Sequence, residues 1–269
     1  MGNGTGDFSR QVINLESNTV YYARAYAVNI LGTAYGNQVS FTTTGSDSTK
    51  GSFTDPRDGK TYKWVKIGKQ KWMAENLAYL PDVYPPSEPP FGATTVKYYY
   101  VYGYEGRDVA AAKATENYSK YGVLYNNRAA MDGNTYSSTN PSGRKCACPE
   151  GWHLPSDAEF DELGKYISDQ KGPYTRDSLG WLEAGKHLKS TTGWPEGANG
   201  TDDFGFNGLP AGMRVYFGYV DQLGMYTRWW TSTLGNMPWA WHLLYTNNNF
   251  VRNIVSPYHA ISIRCVMDE

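Results

Sequence analysis

Two phrases constrain this chain more than anything else in it: Cys148-Pro149-Glu150-Gly151-Trp152-His153-Leu154-Pro155-Ser156, and near the C-terminus Ile263-Arg264-Cys265-Val266. The first gathers a cysteine, a turn, a Trp, an apolar residue and a helix start. The second places a cysteine on what reads as a terminal strand. A bond between Cys148 and Cys265 would close a loop of about 120 residues, worth roughly 4–5 kcal/mol in the chain-entropy model. It would also imply an oxidising compartment, so an extracellular or cell-surface location is expected. There are 3 cysteines, so Cys146 or Cys148 is the odd one. The neighbouring Pro149 and the Gly151-Trp152 turn favour Cys148 as the bridge member. Cys146 and Cys148 could also bind metal together, but Cys-x-Cys without a second pair is weak support for that.

The length of 269 residues allows one large domain or two smaller ones. With 25 basic and 26 acidic residues the net charge is -1, and no basic run exists. Phosphate-driven nucleic-acid binding is therefore not expected. No apolar run approaches the roughly 20 residues of a membrane span. The start, Met1 to Gly6, has no apolar core of a signal peptide, so an export signal or anchor is expected to lie outside this chain. Tyrosine and tryptophan are abundant, 23 and 9 against 9 Phe. Both have an apolar body and a polar tip, suited to half-buried positions and to binding surfaces.

Residues 1–44 read as a separate β segment, with strands over 19–28 and 35–43 around a turn at Asn29–Gly32. The stretch from Leu15 to Ala27, with Gly32-Thr33-Ala34-Tyr35-Gly36 and Phe41-Thr42-Thr43, resembles the last strands of a fibronectin type III-like sandwich. A sandwich needs about seven strands, so the chain is expected to start inside such a domain. Residues 45–52 read as a polar linker, and residues 53–269 as the main domain. Within it, Thr61–Ile67 reads as a strand. The Pro- and Tyr-rich residues 81–120 read as a surface-exposed, partly irregular insertion. A short helix is expected near Asn126–Met131. A capping box at Ser156 and Glu159 opens a helix that buries Phe160, Leu163 and Ile167. A second helix is expected over 178–189, burying Leu179, Leu182 and Leu188. The remainder reads as strands over 204–214, 228–233, 240–245 and 259–267. The fold class is α+β.

A series of phrases now stands in order: Asp55–Gly59 with Trp72-Met73-Ala74-Glu75-Asn76-Leu77; Tyr121–Tyr125 with Ala129-Ala130; Cys148–Glu159; Asp203–Phe206 with Leu209–Gly212; Trp229–Thr233; and Ile263–Val266. Together they resemble the Fibrobacter succinogenes major paralogous domain over about residues 53–267. The resemblance implies a C-type-lectin-like fold of the formylglycine-generating-enzyme branch. It implies an exported, often lipid-anchored bacterial surface protein without known enzymatic activity. Some such proteins resemble targets of diversity-generating retroelements, in which a segment before the last strand is hypervariable and binds diverse ligands.

Between Tyr226 and His259 aromatic residues and asparagines crowd together, as they do on recognition surfaces. Tyr226, Arg228, Trp239, His242, Leu244, Asn247, Asn249, Val251, Asn253, Val255, Tyr258 and His259 are expected to point outward as a ligand face. Trp230, Ala240, Leu243, Ile263 and Cys265 would anchor it. The plainer alternative makes Trp239 and Trp241 core residues and Asn247–Asn249 a hairpin turn. The expected ligand is a protein or glycan on another cell or a phage. A structural subunit of a surface assembly is the alternative. An oxidase of the formylglycine-generating type needs a redox-active cysteine pair in a cleft, and a structural bridge leaves too few thiols. Gly180–His187 nearly matches a phosphate-binding loop but lacks the Ser/Thr for magnesium and lies in a helical pattern. No catalytic residue, metal ligand or cofactor is assigned. Thr201-Asp202-Asp203 is a candidate calcium site or an ordinary acidic turn.

Overall fold

Alternating Tyr and Ala over 19–28 forms strands because β-pleating sends successive side chains to opposite faces. In the computed structural model, which describes residues 12, 15, 19–43, 48–88 and 95–268, the chain divides into two units, Met1–Ser48 and Thr49–Glu269. The first contains β1 (Val20–Ala23), β2 (Tyr26–Asn29), β3 (Gly32–Tyr35) and β4 (Val39–Thr42). β1 pairs with β4 and β2 with β3, all antiparallel. The long strand expected over 19–28 is broken at Arg24-Ala25, where Gly36 N–H donates to Ala25 O at 2.8 Å. Tyr21 stacks on Phe41 and Arg24 lies over the Tyr35 ring. Residues 16–18 of the sandwich-like phrase, residue 44 at the end of the β segment and 45–47 of the expected linker lie outside the described residues.

The second unit opens with β5 (Lys50–Thr54), β6 (Thr61–Ile67) and β7 (Gln70–Met73). Lys50, Gly51 and Ser52, expected in the linker, pair with Val65, Trp64 and Lys63. The Asp55–Gly59 turn closes through Gly59 N–H to Asp55 O at 2.9 Å, with Gly59 at φ 74, a conformation glycine adopts without penalty. Then follow β8 (Tyr99–Tyr100), α1 (Val109–Lys113), α2 (Glu116–Tyr121), β9 (Leu124–Asn126), α3 (Asn127–Met131), β10 (Trp152–His153), α4 (Asp157–Lys171) and β11 (Gly180–Trp181). The C-terminal part adds β12 (Ala211–Val215), β13 (Tyr219–Leu223), β14 (Tyr226–Leu234), β15 (Pro238–Leu244), β16 (Phe250–Ile254), β17 (Ala260–Ile261) and β18 (Val266–Met267). Three sheets result, ordered β10-β18-β7-β6-β5, β11-β16-β15-β14 and β13-β12-β17-β9-β8.

Cys148 and Cys265 are bonded, with Cα atoms 6.0 Å apart and a sequence separation of 117. The bridge is buried in a core that includes Met73, Trp152, Trp230 and Ile263. Cys146 is free and buried; burial, then Asp132, pushes its thiol up to about 12.

The capping box at α4 forms as its sequence dictates. Ser156 Oγ accepts from Glu159 N–H at 3.2 Å, and Glu159 Oε2 accepts from Ser156 N–H at 2.8 Å. Phe160, Leu163 and Ile167 are fully buried, Phe160 against Trp72 and Trp241. The same Glu159 contacts His153 Nε2 at 2.5 Å, and Asp268 contacts His153 Nδ1 at 2.7 Å.

One expectation fails and another holds in part. The helix over 178–189 does not form: β11 and a single 3-10 turn at Ala184–His187 take its place, and Leu179 is 50% exposed. Asp177 Oδ1 accepts from both Leu179 and Gly180 N–H groups, a local turn that competes with the helix. Gly180, at φ 150, then pairs with Val251. Residues 81–88 and 95–120 are partly irregular and largely exposed or half-buried, as expected, but they also send side chains into the core. Val83, Tyr100, Val101 and Ala112 are buried, and Asp108 and Thr115 cap α1 and α2. The tyrosines bury because their hydroxyls find carbonyls, Tyr100 at Glu88 O (2.6 Å) and Tyr118 at Ala78 O (2.9 Å).

Two outcomes follow. Replacing Cys148 and Cys265 together by Ala lowers unfolding free energy by about 2–5 kcal/mol, read from urea titrations; an unchanged midpoint would show that the bridge contributes nothing. His153 supplies a pH dependence. Burial opposes its protonation, but Asp268 and Glu159 outweigh that and lift it from 6.5 to about 9. Its contribution is fully present below 6.5 and is lost as pH rises through about 9. The gap in urea midpoint between wild type and His153→Gln therefore narrows across that window. A gap independent of pH contradicts the ion pairs.

Candidate ligand-binding face

Alternation along β14, β15 and β16 divides their side chains between two cores. Trp229, Trp241, Leu243 and Phe250 pack with Phe160 and Trp72 in one. Tyr226, Trp230, Ala240 and Val255 belong to the other, with Leu244 packed against it. The register Arg228↔His242 and His242↔Val251 puts these three residues on the same face as Tyr226.

The twelve expected outward residues therefore separate. Tyr226 (2% exposed), His242 (6%) and Val255 (2%) are buried, against expectation: Tyr226 and His242 share the strand face turned to the second core, and Val255, just after β16, packs into it. Arg228, Leu244 and Val251 are half-buried and Asn253 is exposed. Trp239, half-buried, falls on the opposite face beside Trp241, where the Arg252 guanidinium lies 4.8 Å from its ring centre. Arg252 in turn pairs with Asp157, which also accepts from Trp241 Nε1 at 2.8 Å. Asn247 and Asn249 follow the turn alternative. Asn247 Oδ1 accepts from Asn249 N–H (3.0 Å), and Asn249 Oδ1 accepts from Glu183 N–H (3.1 Å). Lys189 Nζ donates to Asn247 O at 2.7 Å. Tyr258 and His259 are half-buried in the loop before β17.

Three of these residues, Tyr226, Arg228 and His242, adjoin one another, and His259 lies near enough for the Arg228 charge to act on it. The Arg228 guanidinium carbon lies 4.6 Å from the Tyr226 ring centre, and the Tyr226 and His242 rings are 5.4 Å apart. His259 stacks on Tyr216 at 5.4 Å. Burial, then the Arg228 charge, pushes His242 down to about 3. The same two causes, with Arg214, push His259 down to about 4. Both imidazoles are neutral at pH 7. Arg228 is itself pushed down to about 10 by burial, and no acid contributes. Tyr226 Oη, Arg228 Nε, His242 Nδ1 and both His259 ring nitrogens are buried without a hydrogen-bond partner. A contact to an aromatic ring offers a cation about 0.5–2 kcal/mol, while removing it from water costs several.

Sequence reasoning missed Arg214 on β12 and Tyr216 in the turn that follows it. Arg214 Nε donates to Pro86 O (2.9 Å) and its Nη1 to Tyr258 O (3.1 Å), holding the loop that carries His259. The available signal was a charge between Met213 and Val215 in an apolar run. Elsewhere in the second unit, a cleft of about 210 Å³ is lined by Lys60, Glu75, Lys120, Asn207 and Arg264 among others. Asp202 and Asp203 do not converge on a cation position. Asp202 Oδ1 accepts from Asn207 N–H at 2.7 Å, and Asp203 pairs with Lys171 and His187. Among the described residues, no group of three or more His, Cys, Asp or Glu is placed to hold a metal.

The neutral histidines predict acid lability. Their unfolded-state pKa is 6.5, above the folded values near 3 and 4. Their contribution is fully present above 6.5 and is lost as pH falls through that range. In urea titrations, His242→Phe flattens the decline of stability between about pH 7 and 4; equal slopes in the two proteins rule this out.

No helix among the described residues is long and apolar enough to cross a membrane. No curated protein and no solved structure matches the chain. The family model described as the Fibrobacter succinogenes major domain matches residues 65–267, from within β6 to the end of β18 and across the bridge, the capped helix and the Arg228 face. The chain belongs to the Fibrobacter succinogenes major domain family.

Proposed function

We propose that this chain is an extracellular, non-enzymatic ligand-binding module of adhesin or receptor type, with its ligand seated at the Arg228 end of the β14–β16 face. The observation that carries the reading is the grouping of Tyr226, Arg228 and His242, with His259 nearby, and their polar atoms that lack partners. Buried polar atoms without a partner are few in folded proteins, and a bound molecule or an ordered water satisfies them; five of the ten among the described residues belong to Tyr226, Arg228, His242 and His259. Half-buried Leu244 and Val251 and exposed Asn253 provide a rim for a larger ligand. The Cys148–Cys265 bond supports an extracellular setting. The α+β architecture, 14% helix and 33% strand among the described residues, is compatible with a C-type-lectin-like fold. A diversified segment would use the rim, where substitutions least disturb either core. The partner is a protein or glycan on another cell or phage. The buried Cys146 thiol, protonated at neutral pH, speaks against oxidase chemistry.

A second reading, a subunit of a surface assembly, draws on exposed Tyr22, Tyr26, Val28, Tyr35, Val39 and Phe41 in the first unit. Sedimentation of the full chain separates the two: a monomer across concentrations favours ligand binding, and a growing polymer favours assembly.

The binding reading is tested by presenting the full chain to glycan arrays and to libraries of bacterial and phage surface proteins. Replacing Leu244 and Val251 by Ser weakens a captured ligand by about tenfold or more, equivalent to roughly 1.4 kcal/mol; Leu244 also packs against the second core, so the variant melts lower and binding is compared well below its melting temperature. Binding that survives these changes but is lost on replacing Lys60 and Lys120 moves the site to the cleft.

A further inference from the structure

We propose that the recess formed by Tyr226, Arg228, His242 and His259 takes up an oxyanion, a carboxylate, phosphate or sulfate group of the ligand, held by the Arg228 guanidinium. This rests on the ligand-binding reading above and adds the chemistry of the group recognised.

Arg228 makes no ion pair and no side-chain hydrogen bond with any described residue, and its Nε is buried. Arg144 also has a buried Nε without a partner, as does Arg252, but three other arginines are compensated. Arg264 donates to Met73 O, Phe206 O and Asn76 Oδ1. Arg214 donates to Pro86 O and Tyr258 O. Arg252 meets Asp157. Arg228 has the Tyr226 ring and nothing anionic. A guanidinium presents a planar fork of donors that matches an oxyanion in two parallel bonds.

The surrounding groups point the same way. Tyr226 Oη can donate one hydrogen bond. Each neutral imidazole, His242 and His259, can donate one N–H. None brings a negative charge that would compete with the ligand. Arg214, on the neighbouring sheet, acts on His259 with the same sign as Arg228. The recess therefore combines one available cation with neutral donors, at a site open to solvent along half-buried Arg228. A cation retained in this state lowers the stability of the free protein, which is characteristic of a site shaped for a ligand rather than for folding.

The test uses the full chain, with Arg228→Gln and Arg228→Lys variants. Sodium phosphate, sulfate and acetate are titrated separately at constant ionic strength. The arginine Nε–H resonances and the melting temperature are followed. At least one anion is expected to shift the Arg228 resonance saturably and to raise the wild-type melting temperature. In Arg228→Gln its affinity falls by about tenfold or more, as expected for loss of a charged hydrogen-bonding partner. Arg228→Lys, which keeps the charge and loses the fork, falls between. Without anion, Arg228→Gln melts at or above the wild-type temperature. A response to acetate identifies a carboxylate, and one to phosphate or sulfate identifies a phosphorylated or sulfated group.

The inference is overturned if none of the three anions moves the wild-type resonance saturably. It is also overturned if Arg228→Gln binds as wild type does, or if it melts well below wild type without anion. A captured glycan or protein whose binding ignores Arg228→Gln but depends on Leu244 and Val251 overturns the oxyanion while leaving the binding reading intact. Anion uptake with ligand capture confined to the Lys60–Lys120 cleft overturns the binding reading instead.

Discussion

The second unit is organised around one side-chain amide. Asn76 Oδ1 accepts from Trp229 Nε1 at 2.9 Å and from Arg264 Nη2 at 2.8 Å, while its Nδ2 donates to Tyr121 O at 3.0 Å. Through these bonds the segment after β7, the end of α2, strand β14 and the approach to β18 meet at one buried point. Arg264 extends the network to Phe206 and Asn207, so the turn at 202–207 is held as well. A fully buried guanidinium is tolerable because carbonyls and the amide satisfy it, although burial still pushes its pKa down to about 9. Its neighbour Cys265 carries the covalent tie. Hydrogen-bonded and covalent constraints therefore fall on adjacent residues, and both restrain the same short segment.

Constraint is distributed unevenly as a result. The segment 260–265 bridges two sheets: Ala260 pairs with Arg214 and Asn126, and Ser262 exchanges backbone bonds with Arg228 and Trp230. The two aromatic cores lie on opposite faces of β14 and β15, so neither face is simply inside or outside. Large aromatics fill both, with their N–H groups satisfied: Trp230 Nε1 donates to Tyr125 O at 2.7 Å, and Trp72 Nε1 to Gln70 Oε1 at 3.0 Å. This accounts for a composition rich in Trp and Tyr without requiring that most of them contact a ligand.

That double-sided packing explains which features were legible in the sequence. The capping box, the Thr61–Ile67 strand, the α3 helix and the Cys148–Cys265 pair were legible, because each is specified by a few adjacent residues or by a pair with no better partner. The 178–189 segment was not. Its leucines have helical spacing, but Asp177 and Gly180 set a turn that only the pairing of β11 with β16 makes decisive. The tyrosines of 98–102 read as exposed because their burial depends on carbonyls distant in sequence. At the candidate site the residue types were legible and the sidedness was not. Assigning His242 and Trp239 to different faces requires the register of β14, β15 and β16, and a segment buried on both faces shows no polar alternation from which to read it.

The location of Arg228 gives this its functional weight. Its carbonyl accepts from Ser262 N–H at 3.1 Å, and Ser262 O accepts from Trp230 N–H at 3.1 Å, so the arginine's backbone is clamped by the segment that Cys265 and Arg264 fix. His259 enters the recess from the residues just before that segment, on a loop held by Arg214. A ligand group meeting these side chains finds them already placed by strands and a covalent bond, and the ordering cost of binding is correspondingly small. The neutral histidines follow from the same arrangement. Two largely buried imidazoles held near the Arg228 guanidinium lose their protons, and the cluster keeps the Arg228 charge through the neutral pH range. The tie that stabilises the fold thus also fixes the donors of the candidate site and the charge they surround.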